Sequence, residues 1–187
     1  MRYEIVSFMT YYGIFFKLPQ ITIAKGIVIF HQVSMQVSFR KLERFLYGAV
    51  SIFLASKLDD HPKPLREFAK AYDYLHQIHK KQSIKNTANP YFEPNYSEVK
   101  EDGYKNHHID SKKMQELEEK FANTDIEILK MIGFDLVIEL PYHYLDKIKK
   151  DPMIPSADFL KIANNFINDS MRTLACLYYE PRVIALA

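Results

Sequence analysis

The chain has 187 residues, of which 48% are hydrophobic, and it carries a formal net charge of +2. This apolar content is enough to bury a substantial core, in one domain or two small ones, and the charge is too small to indicate binding to nucleic acid through its phosphates. A single cysteine, Cys176, excludes an internal disulfide framework and is typical of a reducing compartment.

The first predicted helix covers residues 2–16, where bulky apolar side chains recur at helical spacing. Arg2, Glu4 and Lys17 bracket only 12 residues without a charge, fewer than the roughly 20 that a membrane-spanning helix needs. We therefore expect a buried helix rather than a membrane anchor. It ends at Leu18-Pro19-Gln20, because proline lacks an amide hydrogen and disfavours helix in the residue before it.

The third predicted helix is the most apolar of the chain. A second helix over residues 21–36 and a polar link at residues 38–41 lead into it, and it covers residues 42–57. Its later turns carry one charge, Lys57, among apolar and small side chains. Such a helix is buried nearly all round, so it should be the centre of a helical domain. Lys57 should either extend from the core to solvent or be placed for a partner.

Two more helices complete the predicted bundle, with a polar segment between them. The motif His61-Pro62-Lys63-Pro64 ends the third helix, and a fourth covers residues 65–79. In residues 80–110 the apolar periodicity vanishes, which predicts an extended or partly disordered surface insertion. A fifth helix covers residues 112–132, with an Asp-Ser pair before it as a cap and a glycine after it.

Three apolar segments follow near the end of the chain. They are a helix that opens at Pro141, a long helix over residues 157–178, and the start of another at residues 183–187. Cys176 lies in an apolar run, so we interpret it as a packed core thiol rather than a nucleophile. A helix that begins in the last five residues indicates either an unusual end or a fragment of a longer protein.

Motifs for catalysis, metal binding or a cofactor do not stand out. The sequence has no glycine-rich phosphate loop, nucleophile elbow or HExxH motif. His76 and His79 share a helical face but lack a third ligand, and His107, His108 and Asp110 lie in the polar insertion. We expect no catalytic residue, no metal site and no cofactor.

Four pieces of sequence, in order, match one known family. They are Leu18-Pro19-Gln20, FLASKLDDHPKPLRE at residues 53–67, ILKMIGFDL at residues 128–136 followed by LPYHYL at residues 140–145, and NDSMRT at residues 168–173 with YYEPRVIA after it. With these pieces the chain resembles the cyclin family, in particular the transcription-type cyclins, cyclin L first and cyclin K or T next. The resemblance covers essentially the whole chain except residues 80–110.

The resemblance implies an all-α cyclin fold. Residues 1–136 would form a complete first box of five helices, with the polar insertion at about residues 80–110. Residues 137–187 would form a partial second box, truncated after its first two helices and the start of the third. The short helix that normally precedes the first box is missing, which bears on whether 187 residues are the whole natural protein. A truncated box would leave an apolar face uncovered.

The resemblance also implies a regulatory function rather than an enzyme. A cyclin binds and activates a cyclin-dependent kinase by favouring the inward position of the kinase helix that carries a catalytic glutamate. For this chain it implies a heterodimer with such a kinase in transcription or RNA processing, in the nucleus, with no membrane and no direct nucleic-acid binding. The alternatives are a protein resembling transcription factor IIB, whose cyclin-like repeats bind DNA, and a degenerate cyclin-fold scaffold without kinase activation.

Within the family, a lysine at the end of the third helix and an acid on the fifth together bond the kinase backbone. Lys57 matches the lysine by its setting, LASKLDD. Counting back from Phe134 by the family's spacing selects Asp125 for the acid and excludes Glu127, which falls on a different side of the helix. Most relatives have glutamate there, so we expect either a bridging water or a closer approach of the helices. The alternative is a solvated lysine and a solvated acid.

Further positions acquire roles by the same resemblance. Leu58, Phe134 and Leu136 match positions where the family places apolar side chains against the kinase, with core packing as the alternative. Arg2 matches an arginine that ties the helices together. The acid that cell-cycle cyclins place on the second helix falls at His31, so the sequence predicts that this particular bond is absent.

Overall fold

The structure, a computed structural model, describes residues 2–38, 42–85, 99, 101–148 and 157–186. These residues form ten helices and no strand, which confirms the predicted all-α fold. The helices are α1 (Arg2–Phe15), α2 (Gln20–Gln36), α3 (Arg44–Leu58), α4 (Leu65–Lys85), α5 (Glu101–Lys105), α6 (Ser111–Met131), α7 (Pro141–Ile148), α8 (Ala157–Ser170), α9 (Ala175–Tyr178) and α10 (Pro181–Leu186). Residues 39–41 of the predicted link, and residues 86–98 and 100 of the predicted insertion, lie outside the described residues.

Helix α3 lies at the centre, as its apolar sequence predicts. It packs against α1, α2, α4 and α6, and every residue from Gly48 to Ser56 is buried. The hydroxyl of Ser56 donates to the carbonyl of Phe53 at 2.7 Å, so this polar group is satisfied inside the core. At the crossing with α2 the two backbones are close, because a Cβ atom on Gly26 would lie 3.1 Å from the Cα atom of Ile52.

Aromatic side chains join α1 to α4 on one flank of the central helix. The ring of Phe16 is stacked on that of Phe68, with centroids 4.1 Å apart. The buried hydroxyl of Tyr12 donates to the main-chain carbonyl of Phe68 at 2.6 Å. Because these rings are packed on several sides, the position of α1 relative to α4 is closely defined.

The fourth helix and the insertion differ from the prediction. Helix α4 continues beyond residue 79 to Lys85, and a short helix, α5, lies within the predicted insertion. Asp73 on α4 accepts hydrogen bonds from His107 Nε2 and from Lys113 Nζ, both at 2.9 Å. This bonding fixes the end of the insertion to α4 and α6, so tertiary contacts order a stretch whose composition alone indicated a loop.

The predicted long helix over residues 157–178 is wrong, because α8 ends at Ser170 and turns separate it from α9. Hydroxyl groups compete for the carbonyls there: Ser170 donates to Ile167 and Thr173 donates to Ser170, both at 2.7 Å. In addition, the carbonyl of Met171 bonds to Nε2 of His31 at 2.9 Å. That carbonyl therefore bonds to a side chain and not to a backbone amide of a continuing helix.

The C-terminal helices bond to α2 but leave an apolar surface open. Gln20 on α2 donates to Asn168 on α8 at 3.1 Å, and Tyr142 on α7 donates to the same oxygen at 2.6 Å. Beyond this contact lies an apolar hollow of about 630 Å³ between α8 and α10, lined by exposed side chains that include Phe159, Ile162, Phe166, Val183 and Leu186. The uncovered apolar face expected near the end of the chain is present here.

Candidate functional site

The end of α3 meets the last third of α6 through a direct ion pair. Lys57 Nζ lies 2.6 Å from Oδ2 of Asp125, and it also lies 4.6 Å from the centroid of the Phe53 ring, close enough for a cation–π contact. Although aspartate is shorter than the glutamate that the resemblance predicts, Asp125 contacts Lys57 directly, because the two helices lie close together. The two side chains are thus paired rather than solvated separately, although Lys57 is partly exposed.

The carboxylate of Asp125 is only half satisfied. Its side chain is 14% exposed, whereas that of Lys57 is 35% exposed. Oδ2 accepts from Lys57, but Oδ1 is buried and has no hydrogen-bond partner among the described residues. A buried acceptor without a donor costs about 1–3 kcal/mol. The carboxylate therefore has one acceptor atom that the described residues leave without a donor, at a position closed to solvent.

Glu127 reaches α3 as well, but at a different point. Its carboxylate accepts a short hydrogen bond from the hydroxyl of Tyr47, which lies in the first turn of α3. Burial, together with the bond to Glu127, raises the pKa of Tyr47 to about 12. Glu127 bonds to Tyr47 and not to Lys57, so it is separate from the ion pair as its spacing predicts, but the bond to Tyr47 has no signal in the sequence. Only the crossing of α3 and α6 reveals that contact.

The three apolar positions predicted to face a kinase differ in exposure. Leu58 is the last residue of α3 and is partly buried against the core, and Leu136 is half-buried in the segment after α6. Phe134 is 64% exposed, so core packing is wrong for this residue. It also follows Gly133 in the left-handed region, with φ of 63° for Gly133 and 59° for Phe134. An exposed aromatic residue in that conformation is strained.

A second set of polar contacts holds the end of α3, and the sequence analysis missed it. Asp59, directly after α3, accepts a hydrogen bond from the Thr22 hydroxyl at 2.8 Å and forms an ion pair with Lys25 on α2. The only sequence signal was the acidic pair that follows Leu58. These bonds fix the last turn of α3, and with it the backbone that carries Lys57.

Arg2 and His31 link three parts of the chain. Arg2 Nη1 donates to Nδ1 of His31 at 3.3 Å and to the Ser34 hydroxyl at 2.6 Å. Since Nε2 of His31 faces the carbonyl of Met171, the imidazole is neutral, with Nδ1 as acceptor and Nε2 as donor. Burial lowers the pKa of His31 to about 4. The predicted role of Arg2 in tying α1 to α2 is confirmed, and histidine replaces the absent acid as its partner.

Other candidate groups are occupied in structural contacts. His79 bonds to Glu4 at 2.9 Å, and the His76 ring is stacked on Tyr72 with centroids 5.2 Å apart. Cys176 is partly buried against the core, and burial raises the pKa of its thiol to about 11. A thiol with that pKa is a poor nucleophile near neutral pH.

The described ranges contain no group of three or more histidine, cysteine, aspartate or glutamate side chains that could hold a metal ion. They also contain no helix that is both long and apolar enough to cross a membrane.

Comparison with curated proteins finds cyclins. The chain is 30% identical to cyclin-T1-3 of Oryza sativa over 99% of its own length and 34% of the relative. It is 25% identical to cyclin pch1 of Schizosaccharomyces pombe over 97% of the chain and 46% of the relative. It is 27% identical to cyclin-L1-1 of Arabidopsis thaliana over 92% of the chain and 36% of the relative.

These matches span nearly the whole chain but less than half the length of each of these relatives. No protein-family model matches. The T-type and L-type relatives match at similar identity, so the order of preference among subtypes stays a prediction. Proteins with these names are regulatory subunits of kinases and not enzymes themselves. Together with the all-helical fold, the similarity to these relatives over nearly the whole chain supports a place in the cyclin family, among cyclins of the transcription type.

Proposed function

We propose that this chain is the kinase-binding part of a cyclin that activates a cyclin-dependent kinase in transcription or RNA processing. In this proposal it forms a heterodimer with the kinase in the nucleus, and it supplies no chemical group to the reaction. Residues 1–136 act as the first cyclin box and residues 137–187 as part of a second. Lys57, Asp125, Leu58, Phe134 and Leu136 are the residues that face the kinase.

One observation carries the proposal: Lys57 and Asp125 are paired at 2.6 Å while Oδ1 of Asp125 has no partner among the described residues. A pair exposed to this degree stabilises a protein by only about 0.2–1 kcal/mol. That gain is smaller than the cost of the orphaned oxygen. Fold stability therefore does not explain the arrangement well, whereas the partly exposed ammonium of Lys57 has further N–H groups that can donate to a backbone carbonyl of a kinase.

Phe134 independently supports the presence of a surface that binds a partner. Exposure of most of a phenylalanine and a left-handed backbone both cost free energy in the isolated chain. Burial of the ring against a partner would recover the first of these costs. The predicted apolar contribution of Phe134 to an interface is consistent with both observations.

Activation requires that the cyclin bind one kinase conformation better than the other. To change the population of the inward helix position from 1:99 to 99:1, the difference in binding free energy must be about 5.5 kcal/mol. A mostly apolar interface with a few charged anchors can supply this difference. The pair at residues 57 and 125 then fixes the orientation of the two proteins, which is the role that hydrogen-bonded charges most often have in interfaces.

The test is co-purification of the chain with a panel of recombinant cyclin-dependent kinases, followed by an assay of kinase activity. Lys57→Ala is expected to weaken the complex by about 30-fold with an unchanged helical circular-dichroism signal. Lys113→Ala is the matched control, because it removes another ion pair, with Asp73, between α4 and α6. Full activation by Lys57→Ala would overturn the assignment of the site.

The same purified protein distinguishes the two rival functions. A protein resembling transcription factor IIB would bind promoter DNA with steep dependence on salt concentration. A degenerate scaffold would bind a kinase without raising its activity, or bind none. Activation of at least one kinase of the panel, with no salt-dependent DNA binding, is the outcome expected here.

A further inference from the structure

A groove with lysines at its rim lies between the end of α1, the start of α4 and α5. Its volume is about 480 Å³, and its lining includes Lys17, Lys63, Lys105, Ile14, Phe15 and Tyr104. We call this surface the basic groove. It shares no residue with the pair at Lys57 and Asp125, and α5 belongs to the segment that lies outside the resemblance to cyclins.

The charge of the basic groove is uneven. Among the described residues, three lysines line it against a single carboxylate, that of Glu67. Within the part of the chain that the structure describes, none of the three lysines forms an ion pair, and all three are exposed. An adjoining hollow of about 330 Å³ shares Lys17 and Lys63 but adds Asp60 and His61, so it is closer to neutral. The larger groove is therefore the place where negative charge is attracted.

The aromatic walls of the basic groove are packed against one another. Phe15 contacts the edge of the Tyr104 ring, with centroids 5.1 Å apart, and Phe16 is stacked on the buried Phe68. Lys70 Nζ lies 4.8 Å from the centroid of Tyr104. A preformed groove loses little conformational entropy when a ligand binds. These contacts also cover part of the ring faces, which leaves less surface for the base stacking that single-stranded nucleic acid needs.

Two residues of the basic groove raise the free energy of the isolated chain, one by its exposure and the other by its backbone conformation. Ile14 is 56% exposed although it is strongly apolar. Lys17 has φ of 54°, a left-handed conformation that favours glycine. Glycine at this position would relieve the strain, so the lysine is not explained by the turn. A ligand with both an apolar and an acidic group would use both side chains.

We propose that the basic groove docks an extended acidic peptide segment of a partner protein, with glutamate or aspartate side chains at the lysines and one apolar side chain against Ile14 and Phe15. The charge of the rim selects an anionic segment, and the apolar floor selects a peptide over a polyphosphate chain. The site does not depend on kinase activation, since a kinase bound at Lys57 and a peptide bound here would use different residues.

The test is fluorescence anisotropy of a fluorescein-labelled, glutamate-rich peptide with one central leucine, titrated with the full chain in the absence of kinase. The triple variant Lys17→Glu, Lys63→Glu, Lys105→Glu is expected to bind about tenfold more weakly. The control variant Lys81→Glu, Lys112→Glu, Lys120→Glu changes the net charge equally at exposed lysines outside the groove. It should change the affinity by less than about twofold.

Two further measurements test the proposal without a large change of charge. Replacing the leucine of the peptide by serine should weaken binding by about fivefold, since the apolar contact is lost. Lys17→Gly should weaken peptide binding while the midpoint of thermal unfolding stays level or rises, because strain is relieved. Equal losses in the two triple variants, no binding of the peptide to the wild type, or tighter binding of an oligouridine RNA would each overturn the proposal.

Discussion

Lys57 and Asp125 make contact at 2.6 Å across 68 residues of sequence, with an aspartate where the resemblance to cyclins predicts a glutamate. The shorter side chain reaches because α3 and α6 pack directly against each other. The consequence is that one carboxylate oxygen bonds to the lysine, while the other has no donor among the described residues.

Asp125→Asn should separate the role of the charge from that of the shape. The amide has the same size but loses the ion pair, so the free energy of unfolding should change by less than about 1 kcal/mol. Kinase affinity should fall by about tenfold or more, because a charged acceptor is lost at the interface. Urea unfolding and titration with the kinase measure the two effects.

Glu127→Gln is the matched control, since it keeps an acceptor for the hydroxyl of Tyr47. We expect its kinase affinity to remain within about twofold of the wild type. If Glu127→Gln were the more damaging of the two substitutions, the assignment of Asp125 as the interface acid would be wrong.

Phe134→Asn should raise the stability of the fold and lower the affinity for the kinase. Asparagine tolerates the left-handed region better than phenylalanine does, so the free energy of unfolding should rise by up to about 1 kcal/mol. Removal of the exposed ring should weaken kinase binding by about tenfold. Thermal unfolding and kinase titration are the measurements, and unchanged affinity would remove Phe134 from the proposed interface.

The stability of the chain should decrease in acid because of His31. In the unfolded chain the imidazole takes up a proton near its ordinary pKa of 6.5, whereas in the folded chain it does so only near pH 4. Between these values the unfolded state binds more protons, so the free energy of unfolding falls as the pH is lowered. The total loss attributable to His31 is about 3 kcal/mol.

His31→Gln provides the comparison for this pH dependence. Glutamine can donate to the carbonyl of Met171 but does not titrate, so its stability should depend less on pH between 6.5 and 4. The lowered pKa of His76 contributes to both proteins and cancels in the difference. Parallel stability curves for the two proteins would show that His31 is not the titrating group.

Gly26→Ala should destabilise the fold although alanine is the better helix former by about 1 kcal/mol. The added Cβ atom would lie 3.1 Å from the Cα atom of Ile52, where main chain cannot easily move. We expect a net loss of about 1–3 kcal/mol in the free energy of unfolding. Gly133→Ala is a useful contrast, because nothing lies within 4 Å of its added atom and only the positive φ opposes it.

The sequence by itself determined most of the helices and the identity of the central one. Helical periodicity is a local property, so the apolar run of α3 was sufficient to predict that it is buried nearly all round. Two failures have different causes: hydroxyls near Ser170 compete locally and interrupt α8, whereas tertiary contacts of Asp73 order part of the predicted insertion. These effects depend on side-chain bonds that a hydropathy pattern does not contain.

Only the tertiary structure decided how the candidate residues are joined. The resemblance proposed Lys57 and Asp125 as a pair, but their direct contact depends on the distance between two helices that are far apart in sequence. The neutral His31 between Arg2 and Met171, and the lysines gathered around the basic groove, have no local signature at all. Periodicity specifies which face of a helix is buried, whereas packing decides which polar side chains meet at the edges of that face.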